Sequence, residues 1–150
     1  MSVISIPRKI YIKAIASEGE TELNAFDNCL VKSGLPQVSL IKVTSILPRD
    51  IIVINDPPDL PLGCNVPTIY AVYSSCEKGK LLAGALAIGW TDDGPTLVAE
   101  FASEGMSKEK AEKEALFRLE KMAEARGLRI IKKIVVSVDH VVEKCGCVLV

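Results

Sequence analysis

One stretch constrains the fold more than any other: "SKEKAEKEALFRLEKMAEARG", residues 107–127. Ala111, Ala115, Leu119, Met122 and Arg126 recur there at helical spacing. Ser107 is a hydroxyl cap at its start and Gly127 a stop at its end. Its many Lys and Glu residues read as a solvated face with i,i+4 pairs. A helix that is apolar on one stripe must lay that stripe on another element. The flanking segments, "TLVAEFA" (96–102) and "LRIIKKIVVSVDHVV" (128–142), read as strands, so the minimal unit is a helix on a sheet.

The other segments extend this unit. "KIYIKAIA" (9–16) predicts a first strand, and "SEGETE" a turn into an acidic helix start. Thr21 can cap that helix, Glu20 and Glu22 suit its N-terminus, and it runs to about Lys32 with Gly34 as its stop. "QVSLIKVT" (37–44) predicts a second strand, Ile51 to Ile54 a short one, and a proline-rich connection follows. "TIYAVYSSC" and "KLLAGALAIGW" read as a hairpin joined through Glu77 to Gly79, and "CGCVLV" as a last strand. Many strands with two long helices give an α+β or layered sandwich class. The helices are too few for a doubly wound parallel sheet.

A chain of 150 residues makes one ordinary domain. Its net charge of -1 argues against a general nucleic-acid binder. Hydrophobic residues make up 49% and aromatics only 5%, so the apolar content is mostly Val, Ile, Leu and Ala, which suits a β-rich core plus a buried subunit interface. The longest apolar run, "LLAGALAIGW", falls short of the roughly 20 residues that cross a bilayer. At the N-terminus the basic pair follows a very short apolar stretch, the reverse of a signal peptide, so a cytoplasmic location is expected. Five cysteines, an odd number, argue against a disulfide framework, and the C-x-C at Cys145 and Cys147 lacks a second pair that would complete a metal site. The single histidine, His140, reads as structural and removes most Ser-His and Cys-His hydrolase schemes.

Two acids sit in apolar settings. With the first helix taken at about 100° per residue, Asp27 falls in one arc with Leu23, Phe26, Leu30 and Val31. It is either an acid paired at an interface or a carboxylate awaiting a cation such as a guanidinium. Glu100 interrupts the strand "TLVAEFA". It is either an outward-facing residue or an acid that burial keeps protonated, ready to give up its proton. Thr44 and Ser45, in "KVTSILP", place two hydroxyls where a strand must turn.

Several long blocks occur in one order: "SEGETELNAFDNCL", "LIKVTSILP", "LPLGCNVPTIYA", "AEFASEGMSKEKAEK" and "VVEKCGC". Across about residues 10 to 148 the chain resembles the pyruvoyl-dependent arginine decarboxylase family. That resemblance implies a four-layer α/β/β/α sandwich, assembled as a homotrimer or a dimer of trimers with active sites between protomers. It implies a proenzyme that cuts itself between Thr44 and Ser45, giving chains 1–44 and 45–150. The Ser45 hydroxyl attacks the Thr44 carbonyl, and elimination and hydrolysis leave a pyruvoyl group at position 45. That group forms a Schiff base with the substrate amine and plays the part of pyridoxal phosphate, so no separate cofactor site is needed. Glu100 matches the family's proton donor, and Asp27 the acid that holds the guanidinium.

The implied reaction converts L-arginine to agmatine and CO2 and feeds polyamine synthesis. Thr44 stands where serine is more usual, and both leave a hydroxyl and a carbonyl. Ser39 stands where relatives often carry asparagine, whose amide reaches farther toward the cleavage site, so this position bears on the rate of processing. Two other readings remain open: an uncleaved, non-catalytic trimer that assembles or binds a small cationic ligand, and the same chemistry on another amino acid.

Overall fold

The computed structural model describes residues 4–150; the first three residues of the N-terminal apolar stretch lie outside these. In chain order the elements are β1 (Lys9–Tyr11), β2 (Ile15–Gly19), α1 (Glu22–Ser33), β3 (Ser39–Lys42), β4 (Ile46–Leu47), β5 (Ile52–Ile54) and β6 (Asn65–Thr68). Then follow β7 (Val72–Ser75), β8 (Leu81–Thr91), β9 (Thr96–Glu104), α2 (Lys108–Glu124), β10 (Ile130–Val141) and β11 (Cys145–Leu149). One sheet has the order β10-β8-β9-β4 and a second β2-β11-β7. Two small parallel pairs, β1-β5 and β3-β6, complete the set.

Strand alternation builds the layers. Ala83, Ala85 and Ala87 of β8, with Leu97 and Ala99 of β9, pack on Ala111, Ala115, Leu119 and Ala123 of α2. Leu86, Ile88 and Val98 point the other way, into a cluster with Leu47, Ile51 and Val150 between the sheets. A further cluster of Leu82, Val142 and Val148 joins the sheets elsewhere. Because both faces of β8 are covered, it reads as a continuous apolar run. On the outer face of the second sheet, Ala25 and Cys29 of α1 pack with Ile15, Cys147 and Leu149. The order α2, sheet, sheet, α1 is the expected α/β/β/α sandwich.

The helix ends follow the sequence. The Thr21 side chain accepts the Asn24 amide at 3.1 Å, and Gly34 ends α1 at φ 83°, a left-handed conformation that favours glycine. Ser107 accepts the Lys110 amide, and Asp139 accepts the Lys108 amide at 3.0 Å.

Three expectations are corrected. The predicted hairpin does not form: β8 is flanked by β10 and β9, while β7 pairs with β11. Both edges of β8 are taken by longer partners, so the Glu77–Gly79 turn carries the chain from one sheet to the other. The predicted 9–16 strand is divided between β1, which pairs with β5, and β2, which pairs with β11. Lastly, Cys76 and Cys145 form a disulfide. The β7–β11 ladder pairs Ser75 with Gly146, and the next positions outward are these two cysteines. An odd cysteine count is no guide to a pair that a ladder sets face to face.

His140 takes the structural role expected of it. Its Nε2 lies 2.5 Å from Glu18 Oε1, and the Glu18 carboxylate also accepts the backbone amides of Glu143 at 2.9 Å and Lys144 at 3.0 Å. Glycine leaves room beneath this cluster, because a Cβ on Gly146 would lie a tight 3.0 Å from both Glu18 Oε1 and the His140 ring.

Candidate active site

Thr44 and Ser45 lie where the chain changes partners. Up to Lys42 the strand pairs with β6, and the Val43 amide still bonds to Thr68 O at 3.1 Å. From Ile46 the chain pairs with β9 in the large sheet. The backbone turns between these two ladders, and Ser45 is the bend. The Ile46 amide donates back to Thr44 O at 2.9 Å, closing a three-residue turn of the γ type around Ser45. The Val98 amide donates to Ser45 O at 3.0 Å. The peptide bond in question is therefore bracketed by donors on both carbonyls.

The acid of this corner comes from β9. Ala99 and Phe101 face α2, so Glu100 between them projects from the opposite face, across from Leu86 of β8. A half-buried carboxylate among apolar neighbours needs a partner, and the Ser45 hydroxyl provides one: its Oγ donates to Glu100 Oε2 at 2.9 Å. Glu100 is half-buried rather than fully exposed. The hydroxyl thus has an acceptor for its proton, and the carbonyl of the preceding residue is already polarised by an amide. That arrangement suits attack of a serine on its own preceding peptide bond.

Asp27 and Ser39 stand apart from this pair, with no hydrogen bond to it. Asp27 is exposed on α1, in an open cavity of about 380 Å³ lined by Thr21, Leu23, Asn24, Phe26 and Asp27. Only part of the apolar arc read from the sequence packs: Phe26 and Leu30 are partly buried, but neither lies at the centre of the face α1 buries. That face is the row of small residues Ala25, Cys29 and Ser33, which lets the helix sit close to the sheet. Leu23 is 75% exposed and Val31 54%. Ser39 is exposed at the start of β3, in register with Asn65.

The amides of Ile46 and Val98 were not legible in the sequence. Backbone donors carry no residue signature, and Val98 reads only as core. The one signal that finds them is the pairing register of β4, and a two-residue strand is too short to announce itself.

A family model described as pyruvoyl-dependent arginine decarboxylase matches residues 9–150. The chain belongs to that family. Among curated proteins of the same name, that of Methanothermobacter thermautotrophicus is 39% identical over 141 residues, covering 94% of this chain and 92% of the relative. The Pyrococcus abyssi protein is 34% identical over 139 residues (91% and 87%), and the Methanocaldococcus jannaschii protein 34% over 144 residues (95% and 86%). Membership in the pyruvoyl-dependent arginine decarboxylases implies a lyase with a covalently bound pyruvoyl group. The corner at Ser45 fits that group. A serine is its chemical precursor, and this one has its hydroxyl on a carboxylate and both flanking carbonyls on amides.

Proposed function

We propose that this chain cuts its own Thr44–Ser45 bond and then decarboxylates L-arginine to agmatine. The observation that carries the proposal is the 2.9 Å bond from Ser45 Oγ to Glu100 Oε2. Glu100 accepts the Ser45 hydroxyl and orients Oγ for attack on the Thr44 carbonyl carbon. The Ile46 amide, already on that carbonyl oxygen, stabilises the charge that develops there. The hydroxyl proton passes to the Ser45 nitrogen as the C–N bond breaks, which leaves an ester between Thr44 and the Ser45 side chain. Loss of the Ser45 α-proton with departure of the Thr44 carboxylate then gives dehydroalanine, and water replaces its nitrogen as ammonia. The resulting pyruvoyl group supplies a ketone for the substrate amine and an adjacent carbonyl that accepts electrons. Glu100, left beside it, returns a proton to the substrate Cα after CO2 departs.

Asp27 binds the substrate guanidinium by two parallel hydrogen bonds. It does so at the Ser45 corner of a neighbouring protomer, in a homotrimer or dimer of trimers. This assignment is supported by the exposure of Asp27 among apolar residues of α1. Ser39, exposed on β3, influences the rate of the cut. The enzyme works in the cytoplasm, where agmatine enters polyamine synthesis.

A denaturing gel with intact-mass measurement tests the first step. Fragments 1–44 and 45–150, the larger blocked at its N-terminus, are expected together with CO2 release from arginine. Ser45→Ala should remain one chain without activity. A single full-length band from the unaltered protein after long incubation at raised temperature would instead identify a non-catalytic homologue.

A further inference from the structure

Strand β9 offers Ser45 two groups, two residues apart: the Glu100 carboxylate to its side chain and the Val98 amide to its carbonyl. Both contacts lie on the C-terminal side of the proposed cut. The bond from the Ile46 amide to Thr44 O spans the cut and is lost with it. The bond from the Val98 amide to Ser45 O joins two residues of the same 45–150 fragment, within the β4–β9 ladder. It needs no rearrangement to persist after processing.

Conversion of Ser45 changes its Cα, Cβ and nitrogen but leaves its carbonyl in the amide to Ile46. We infer, on the reading proposed above, that the Val98 backbone amide is a catalytic group of the decarboxylation. When the bond between the substrate Cα and its carboxylate breaks, CO2 leaves. The electron pair left behind is delocalised onto the Ser45 carbonyl oxygen. The Val98 N–H, already aimed at that oxygen, stabilises the added charge without reorientation. As Glu100 protonates Cα the pair returns and the carbonyl is restored, so no oxidant or reductant is consumed. One strand thus carries both the proton donor and the electrostatic donor. Their relative placement is set by the rigid strand repeat rather than by side-chain packing.

The ladder makes the inference separable from structure. In an antiparallel strand the N–H and C=O of one residue point to the same side, so the Val98 amide faces β4 and the flanking residues serve β8. Replacing Val98 by its α-hydroxy acid puts an ester oxygen where the N–H was and keeps the isopropyl side chain. The chain should still split before Ser45 and still form a phenylhydrazine adduct. Its kcat for arginine should fall by about 10²–10³, the effect of removing one such donor, with KM little changed. The infrared band of a 13C-labelled Ser45 carbonyl should move to higher frequency.

A kcat within about threefold of the parent, or an unmoved band, overturns the inference. A chain that never splits overturns the proposed function at an earlier step instead. Should the ester chain fail to fold, the processed parent protein decides. A scalar coupling across the hydrogen bond from the Val98 nitrogen to the Ser45 carbonyl carbon, with a labelled band below that of the unfolded chain, supports the inference. Absence of the coupling overturns it.

Discussion

The Ser45 corner and the outer face of α1 each hold an acid in an apolar setting, and they treat it in opposite ways. Glu100 is half-buried and satisfied within the chain by the Ser45 hydroxyl. Asp27 is exposed, flanked by Leu23 and Val31, which are exposed too. The first arrangement is formed within a single chain, because β4, β9 and the turn between ladders bring Ser45 and Glu100 together. The second is an exposed carboxylate beside exposed Leu23 and Val31, in a cavity also lined by Thr21 and Asn24. The contrast separates the chemistry from the recognition. On the reading proposed above, bond breaking depends on strand register inside one chain, and guanidinium binding depends on what covers α1.

The largest effect expected in breaking this contrast is at Glu100. Glu100→Gln keeps an oxygen that can accept the Ser45 hydroxyl, so the chain should still split. It cannot return a proton, and turnover should fall by about 10²–10⁴. Labelled CO2 release from fully cleaved protein measures this, and full activity there would remove Glu100 from its role. Asp27→Ala should do the reverse. Cleavage and kcat change little, while KM for arginine rises by about 10–100-fold, the scale of one lost charge-assisted contact. Unchanged arginine affinity would end the guanidinium assignment. Leu23→Asp tests whether the two halves meet between protomers. If Leu23 is buried on assembly, its loss should weaken association by roughly 10–100-fold. That would appear as smaller species in sedimentation, with the Thr44–Ser45 bond still cut.

The sequence carried much of this, though unevenly. Helix ends at Thr21, Gly34 and Ser107 were legible because capping is local chemistry. The strand around Glu100 was legible because one acid in a run of apolar residues has few explanations. The Cys76–Cys145 disulfide and the separation of β7 from β8 were not, since both depend on which ladder a strand joins. Asp27 was placed on the right arc and the wrong side. Bulk decided the reading, whereas Ala25, Cys29 and Ser33 decided the packing, because small residues let α1 approach β2 and β11. Leu23 and Val31 were left outside, while Phe26 and Leu30 pack at the edge of that cluster. Ser45 and Glu100 lie far apart in sequence, and only the short β4 ladder, with its Val98 amide, sets one against the other.

The smallest effect concerns how the two halves respond to acid. Glu18, on the strand that leads into α1, fastens the turn between β10 and β11. Burial raises its carboxyl pKa, but donation from the Glu143 amide, His140 and the Lys144 amide outweighs this and leaves it below the ordinary glutamate value of 4.5. The charged groups around it are His140 and, on the residue whose amide it accepts, the Lys144 side chain, which pairs with Glu20. A carboxylate with a depressed folded-state pKa stabilises the fold fully above its unfolded pKa. That contribution is lost as pH falls through the folded value. Unfolding free energy should therefore decline as pH drops below about 4.5, and Glu18→Gln should flatten that part of the slope. The strap ties β2, on which α1 rests, to β10 and to the turn that leads into β11. Amide exchange in α1 should accordingly accelerate in acid before exchange at Val98 does. Equal acceleration at both places would show that the fold loosens as one unit, and that the contrast between the two acid sites does not extend to their stability.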